Sequence, residues 1–229
     1  MPAFKGFPAE TLKFLDQLAA NNRREWFDDN KDRYESLVRE PALDFITAMA
    51  KPLTAISPHF VAVPKKVGGS LMRVYKDTRF SRDKTPYKTN IGIQFRHETG
   101  KDVHAPGYYV HIESGECFLG VGLWHPNAEP LAAIRTRIAE RSGEWLKIRD
   151  QKAFASSFQL GGSALTRPPR GFDADHPAIA DIKRKDFIAG HDFGAESIFS
   201  ADLVKQVAAT FRTASPFMKF LCQALDLPF

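Results

Sequence analysis

The apolar residues of this chain change their spacing twice, and that change restricts the fold it can adopt. Up to about residue 60 the repeat is helical. Leu12, Phe14, Leu15 and Leu18 fall on one face after Pro8, as a 3.6-residue period requires. Asn22, three residues before Glu25, predicts a capping box for a second helix carrying Trp26, Phe27, Tyr34, Leu37 and Val38. Pro41 is expected as the first residue of a third helix, with Leu43, Phe45, Ile46, Met49 and Leu53 inside it and Ser57-Pro58 ending it. The period then falls to two, which marks strands. Four are expected, over residues 71–76, 91–97, 108–113 and 117–124, the last two joined by Ser114-Gly115 as a tight hairpin. After His125-Pro126 the helical period returns through Leu131, Ile134 and Ile138, then Trp145 and Ile148. A Gly/Pro-rich stretch from Gly161 to Pro177 is too broken for regular structure. Helices around 203–212 and 216–225 close the chain, the last with Ser215 as N-cap. The expected architecture is one α+β domain over residues 1–229: a central antiparallel sheet of four or more strands, flanked by N-terminal and C-terminal helices.

Bulk properties narrow the class further. With 229 residues, 43% of them hydrophobic and 19 of them Phe, the chain can bury an aromatic-rich core. Cys117 and Cys222 are too few and too far apart for a disulfide framework or a metal-ligand motif, which points to a reducing, cytoplasmic setting. No apolar run approaches the ~20 residues of a membrane span, so no membrane partner is expected.

Charge is unevenly distributed. Between Lys65 and Asn90 there are eight basic and two acidic residues, giving +6; the remainder of the chain carries −1. The basic residues alternate with Met72, Val74, Tyr75, Phe80 and Tyr87, which need burial, so the segment is not a solvated tail. Positive charge concentrated on folded structure is the footprint of an anionic partner. Strand alternation puts Arg73, Tyr75, Gln94, Arg96, Tyr109, His111 and Glu113 on one face, beside Gly120 and Gly122. The loop from Asp77 to Asn90 adds Arg79, Arg82, Lys84, Tyr87 and Lys88 near one end of it. Glycines within a strand often mark close approach by a ligand. The set suits a phosphate or carboxylate carried on a flat organic moiety; the simpler alternative is a wetted sheet face.

The run Arg73-Val74-Tyr75-Lys76-Asp77-Thr78-Arg79-Phe80, with Asp83-Lys84 and Tyr87 after it, resembles an uncharacterised bacterial family, domain of unknown function 2461. The resemblance extends over nearly the whole chain, including Asn22-Arg23-Arg24-Glu25-Trp26-Phe27 and residues 167–172. It implies a shared structure and no particular activity. The family pattern has Arg where this chain has Lys76, a point charge in place of a bidentate fork.

Arg73, Arg79 and Lys84 are the candidate anion ligands, with Lys88, Gln94 and Arg96 around them, Asp77 fixing an arginine, Tyr87 donating a hydrogen bond and Tyr109 lining the pocket. The competing reading is a structural Arg–Asp clamp between this loop and Glu25, Asp28 or Asp29. His111 and Glu113, at strand spacing on one face with His104 upstream, are the candidate proton-transfer pair; no metal site is assigned, and the residues leave the cofactor open. Arg167, Arg170, Asp173 and His176 could wall the site, although a rigid Pro-Pro turn, with Asp175 capping the next helix, explains them more simply. Lys183-Arg184-Lys185 reads as a solvated helix end. Phosphate-loop, dinucleotide, zincin and nucleophile-elbow motifs are absent. The expected partner is an anionic small molecule, acted on enzymatically. The alternatives are a nucleic-acid-binding surface in which Tyr75, Tyr109, Phe118 or Trp124 stack on bases, or a structural motif serving a protein partner.

Overall fold

The computed structural model describes residues 4–79, 81–100 and 105–229. The N-terminal apolar stripes form α1 (Thr11–Ala20), α2 (Arg24–Asp29), α3 (Lys31–Tyr34) and α4 (Glu40–Thr54), with a π-helical turn, Glu35–Arg39, leading into α4. Pro41 explains how the turn is held. It has no N–H to give the Leu37 carbonyl one turn back, and the buried Thr11 hydroxyl supplies the missing donor at 2.7 Å. The third helix therefore does not start at Pro41 but runs straight out of the π turn, where the Glu40 N–H reaches the Glu35 carbonyl. The expected second helix is broken at Asn30. Asn22 is not its cap: Arg23 holds that position with no side-chain cap. The Asn22 carboxamide instead accepts from the Tyr87 N–H (3.0 Å) and donates to the Tyr87 carbonyl (2.9 Å), so one side chain acts as a short piece of strand.

The sheet has six antiparallel strands: β1 (Phe60–Val61), β2 (Ile91–His97), β3 (Gly107–Glu113), β4 (Glu116–Leu123), β5 (Gln159–Leu160) and β6 (Phe187–Asp192), in the order β1-β2-β3-β4-β6-β5. Three of the expected strands are its centre, and Gly115, at φ +83°, closes the β3–β4 hairpin as a two-residue link allows. The strand expected over 71–76 does not form. Leu71 bridges Ile93 and Met72 donates to the Gly92 carbonyl, but β1 occupies the same edge at Arg96 and His97. The chain then turns away, and its backbone groups at Val74 and Lys76 pair with Lys88 and Pro86. This small hairpin closes on itself across a Tyr75–Tyr87 bridge.

Alternation makes one sheet face dry. Ile91, Ile93, Phe95, Tyr108, Val110, Ile112, Leu119, Val121 and Leu123 are buried, and α4 contacts β1 and β2. From the C-terminal half, α5 (Ala128–Glu140), α6 (Ser142–Arg149), α7 (Lys152–Ala155), α8 (Ile179–Ile182), α9 (Leu203–Thr213) and α10 (Ser215–Ala224) complete the helical layer, with α10 against β4 and α9 against α4. Ser215 is the first residue of α10, not its cap. Asp175 does not cap α8, whose N-cap position is Ala178; its own N–H is held by the Asp173 carboxylate. Arg184 is not solvated: it pairs with buried Asp181 at 2.9 Å and donates to the Gly161 carbonyl. Asp181 also takes the Trp145 indole N–H and Arg149.

Thr11→Val keeps the side-chain shape and takes the hydroxyl donor from the partly buried Leu37 carbonyl. A loss of about 1–3 kcal/mol is expected, measured as a fall in urea midpoint at constant slope.

Candidate functional site

With the helices on the dry face, the opposite face of the central strands carries the remaining chemistry. The register sets three rows across it: Gly92, His111, Phe118 and Asp192; Gln94, Tyr109, Gly120 and Gly190; Arg96, Gly107, Gly122 and Ile188. Two cavities open there. One, of about 390 Å³, is floored by Gly107, Gly120, Gly122 and Gly190 and walled by Tyr109, Phe118, Trp124 and Ile188. The other, of about 380 Å³, is ringed by Arg39, Lys66, Arg73 and Arg96, with Ser70, Tyr34 and Tyr75 between them. Met72 and Gln94 line both, so the two spaces are neighbours across these side chains. Each volume lies within the range of small-molecule sites, about 300–1,000 Å³.

The cations of the second cavity differ in how they are compensated. Arg39 pairs with Glu35 and lies over the Tyr34 ring, and Lys66 reaches the same carboxylate at 3.5 Å. Arg96 donates to the Gly69 carbonyl at 3.3 Å. Arg73 is exposed and makes no hydrogen bond or ion pair to a described residue; its charge acts at longer range on the Asp77 carboxylate, which it helps to lower. Half-buried Lys88 stands near it, its ammonium held below the usual range first by burial and then by the Arg73 charge.

Tyr109 links the glycine-floored cavity to a polar chain. Its hydroxyl donates to His111 Nδ1 (3.1 Å), His111 Nε2 donates to Glu113 (3.2 Å), and Thr89 donates to the other Glu113 oxygen. The imidazole is stacked on Phe118, centroids 4.6 Å apart. A Cβ at Gly92 would stand 2.9 Å from the Tyr109 oxygen, so the glycine leaves room for that hydroxyl. Burial pushes the phenol up to about 12, which keeps it a proton donor near neutrality. His111, Glu113 and Glu116 present three potential metal-ligand atoms within 4.8 Å of one another, although Glu116 is exposed.

Of the residues expected at the site, Arg73, Gln94, Arg96 and Tyr109 line the cavities, and His111 and Glu113 stand behind Tyr109. The others are arranged differently. Arg79, its side chain 77% exposed, forms a bidentate pair with Asp77 at 2.7 and 3.0 Å, and that guanidinium holds the Asp77 carboxyl at about 2. Lys84 donates to the Thr78 carbonyl, and Lys76 to Asp83 and Thr85. These contacts span two to nine residues within one loop. Tyr87 is a core residue, its ring stacked on Phe27 at 4.1 Å, and it lines neither cavity; nor does Lys88. Glu25, Asp28 and Asp29 form no salt bridge to the loop among the described residues. Arg167 and Arg170 also line neither cavity, and His176 is bonded to the Ala139 carbonyl. Phe80 and His104 lie outside the described residues.

Two features escaped sequence reasoning. Arg39 reaches the cationic cavity from a helix turn far in sequence from the 65–90 cluster, where no local spacing announces it, and meets there Lys66 of that cluster. At the other end, His125 follows Trp124 in a left-handed conformation, φ +46°. Its ring lies 4.2 Å from the indole and its Nδ1 lies 3.1 Å from Asp186. Asp186 is 2% exposed and accepts the N–H groups of His125 (2.9 Å) and Ser163 (3.1 Å).

Burial alone would raise the Asp186 carboxyl, but these donors and the His125 charge outweigh it and hold it below the usual carboxylate range. A carboxyl depressed by folding stabilises above its unfolded value near pH 4, and that contribution is lost as pH falls through the lower folded value. Asp186→Asn should therefore be less stable than wild type at pH 7, with the difference shrinking below about pH 4, as read from urea midpoints across pH.

No curated protein and no solved structure matches the chain. A family pattern does: residues 10–220 match Conserved hypothetical protein (DUF2461). Spanning the N-terminal helices, the whole sheet and most of α10, that match makes this chain a member of the DUF2461 family of conserved hypothetical proteins.

Proposed function

We propose that the chain binds an anionic small molecule in the cleft at Arg73 and acts on it as an enzyme, with the hydrogen-bonded chain of Tyr109, His111 and Glu113 as its proton-transfer groups. The observation that carries this reading is Arg73: exposed, close to a second cation, without an ion pair to a described residue, in a cavity lined by three further cations and no carboxylate. Like charges held together raise each other's free energy, and an anion between them reverses the sign of that term. Donors fixed in place also stabilise charge developing on a substrate oxygen. Tyr109 lines the glycine-floored cavity and stays protonated near neutrality, its hydroxyl hydrogen-bonded to His111.

The nucleic-acid alternative draws on the exposure of Tyr75 and Trp124, each 51%, rings of the kind on which bases stack. Ionic strength separates the two. Occupancy by a compact anion releases few counterions, whereas a backbone contacted along several phosphates gives a steep fall of affinity with salt.

Inorganic phosphate should raise the melting midpoint of the wild type by mass action on the folded state. Arg73→Ala, altering an exposed side chain, should leave the ligand-free midpoint nearly unchanged and weaken phosphate at least about tenfold, the scale of one charged hydrogen bond. His111→Gln should bind phosphate as the wild type does. An unchanged phosphate response in Arg73→Ala would remove the basis of the proposal.

A further inference from the structure

Resting on that reading, we infer that the anion is carried on a planar heterocycle, which lies on bare backbone at Gly120 and Gly190. These two glycines are Cα partners in the centre of the sheet, and neither has a positive φ. A Cβ built on Gly190 meets no atom within 4 Å, and one on Gly120 meets Tyr109 only at ordinary contact distance, 3.4 Å. Neither packing nor backbone conformation therefore calls for glycine here. Gly122 differs: at φ +116°, its Cβ would collide with the Phe187 carbonyl. Central strands favour β-branched and aromatic residues, and glycine weakens them. The product of the two unforced glycines is a flat shelf of peptide groups.

The surroundings of the shelf select its occupant. Tyr109, Phe118 and Trp124 stand around it, giving a ring both a flat floor and aromatic edges. An acyl chain would need a longer, purely apolar channel, whereas this space has Gln94 in its wall, a side chain that also lines the cationic cavity. Its carboxamide makes no hydrogen bond to a described residue, and so presents one acceptor and two donors at the seam. That pattern matches the edge of a nitrogen heterocycle, as when a carboxamide reads an adenine edge. With the ring on the shelf, its edge at Gln94 and its charged group beyond toward Arg73, one molecule occupies both cavities. A heteroaromatic monophosphate has this chemistry.

The test compares binding of AMP, GMP, CMP, UMP and FMN with that of ribose 5-phosphate and inorganic phosphate by calorimetry, in wild type and Gly190→Val. Valine fills the shelf and, as a better strand former, should not lower the melting midpoint. The expected result is that at least one ring-bearing phosphate binds tenfold or more tighter than ribose 5-phosphate, and that Gly190→Val removes this gain while ribose 5-phosphate binds as before. If ring-free phosphates bind and the ring adds nothing, or the gain survives Gly190→Val, the shelf is overturned and the anion site stands. If no phosphate binds at all, the anion site fails and the shelf with it. Should Gly190→Val fold poorly, Gln94→Leu removes the edge contacts from the other side of the cavity and must also abolish the gain.

Discussion

The period-two alternation of β2, β3 and β4 is the constraint from which the rest of the molecule follows. Because Ile91, Ile93, Phe95, Val110, Ile112, Leu119 and Val121 all fall on one side, that side has to be covered. The helices before and after the sheet supply the cover. A one-residue slip in any of these strands would turn its apolar set outward, so the register is held strongly. Every residue at an odd step from that set then has no choice of face. Tyr109, His111, Gly120 and Gly190 are brought together by the same register that buries the core. The geometry of the open face thus derives its rigidity from burial on the other side.

That dependence explains what could be read from the sequence. The three central strands, their faces and the Ser114-Gly115 link were legible because each is specified by neighbours two residues apart. The flanking helices were legible for the same reason at a longer period. The edges of the sheet were not. Phe60–Val61 and Gln159–Leu160 are two residues each, too short for alternation to register. In β6 a glycine and a histidine interrupt the apolar pattern, and its buried faces are only Phe187 and Ala189. Asn22 shows a different limit. The pattern with Glu25 was a correct local motif, but a contact 65 residues away won the side chain.

The charge cluster was legible as an excess and misleading as a ligand list. Summing charges along a segment takes no account of pairing. Asp77 with Arg79, Asp83 with Lys76, and the Thr78 carbonyl with Lys84 engage much of the positive charge within one small loop, where exposed pairs contribute little to global stability. Those contacts shape the loop after the Arg73 segment. What sequence could not supply was the distant cation Arg39, carried on the π turn that leads into α4, and its sharing of Glu35 with Lys66. The motif is thus partly a loop clamp and partly a cavity wall, and Arg73 is the residue where the second role dominates.

A folded chain whose local preferences agree with its architecture gains stability at every level, and departures from that agreement cluster where function requires them. Here the departures are adjacent. Two glycines with no packing or conformational reason lie in the middle of the sheet, each costing roughly 0.5–1 kcal/mol relative to a residue with a side chain. A neighbouring arginine stands near a lysine and forms no ion pair with a described residue, and the carboxamide between the shelf and that arginine makes no hydrogen bond to a described residue. Taken singly, each is an ordinary surface irregularity. Their arrangement along one line, from the bare shelf through Gln94 to Arg73, has a common physical origin if one ligand satisfies all three: its ring the shelf, its polar edge the amide, its charge the guanidinium. Separate local accidents would not be expected to order themselves as apolar, polar and cationic along a single pair of adjoining cavities.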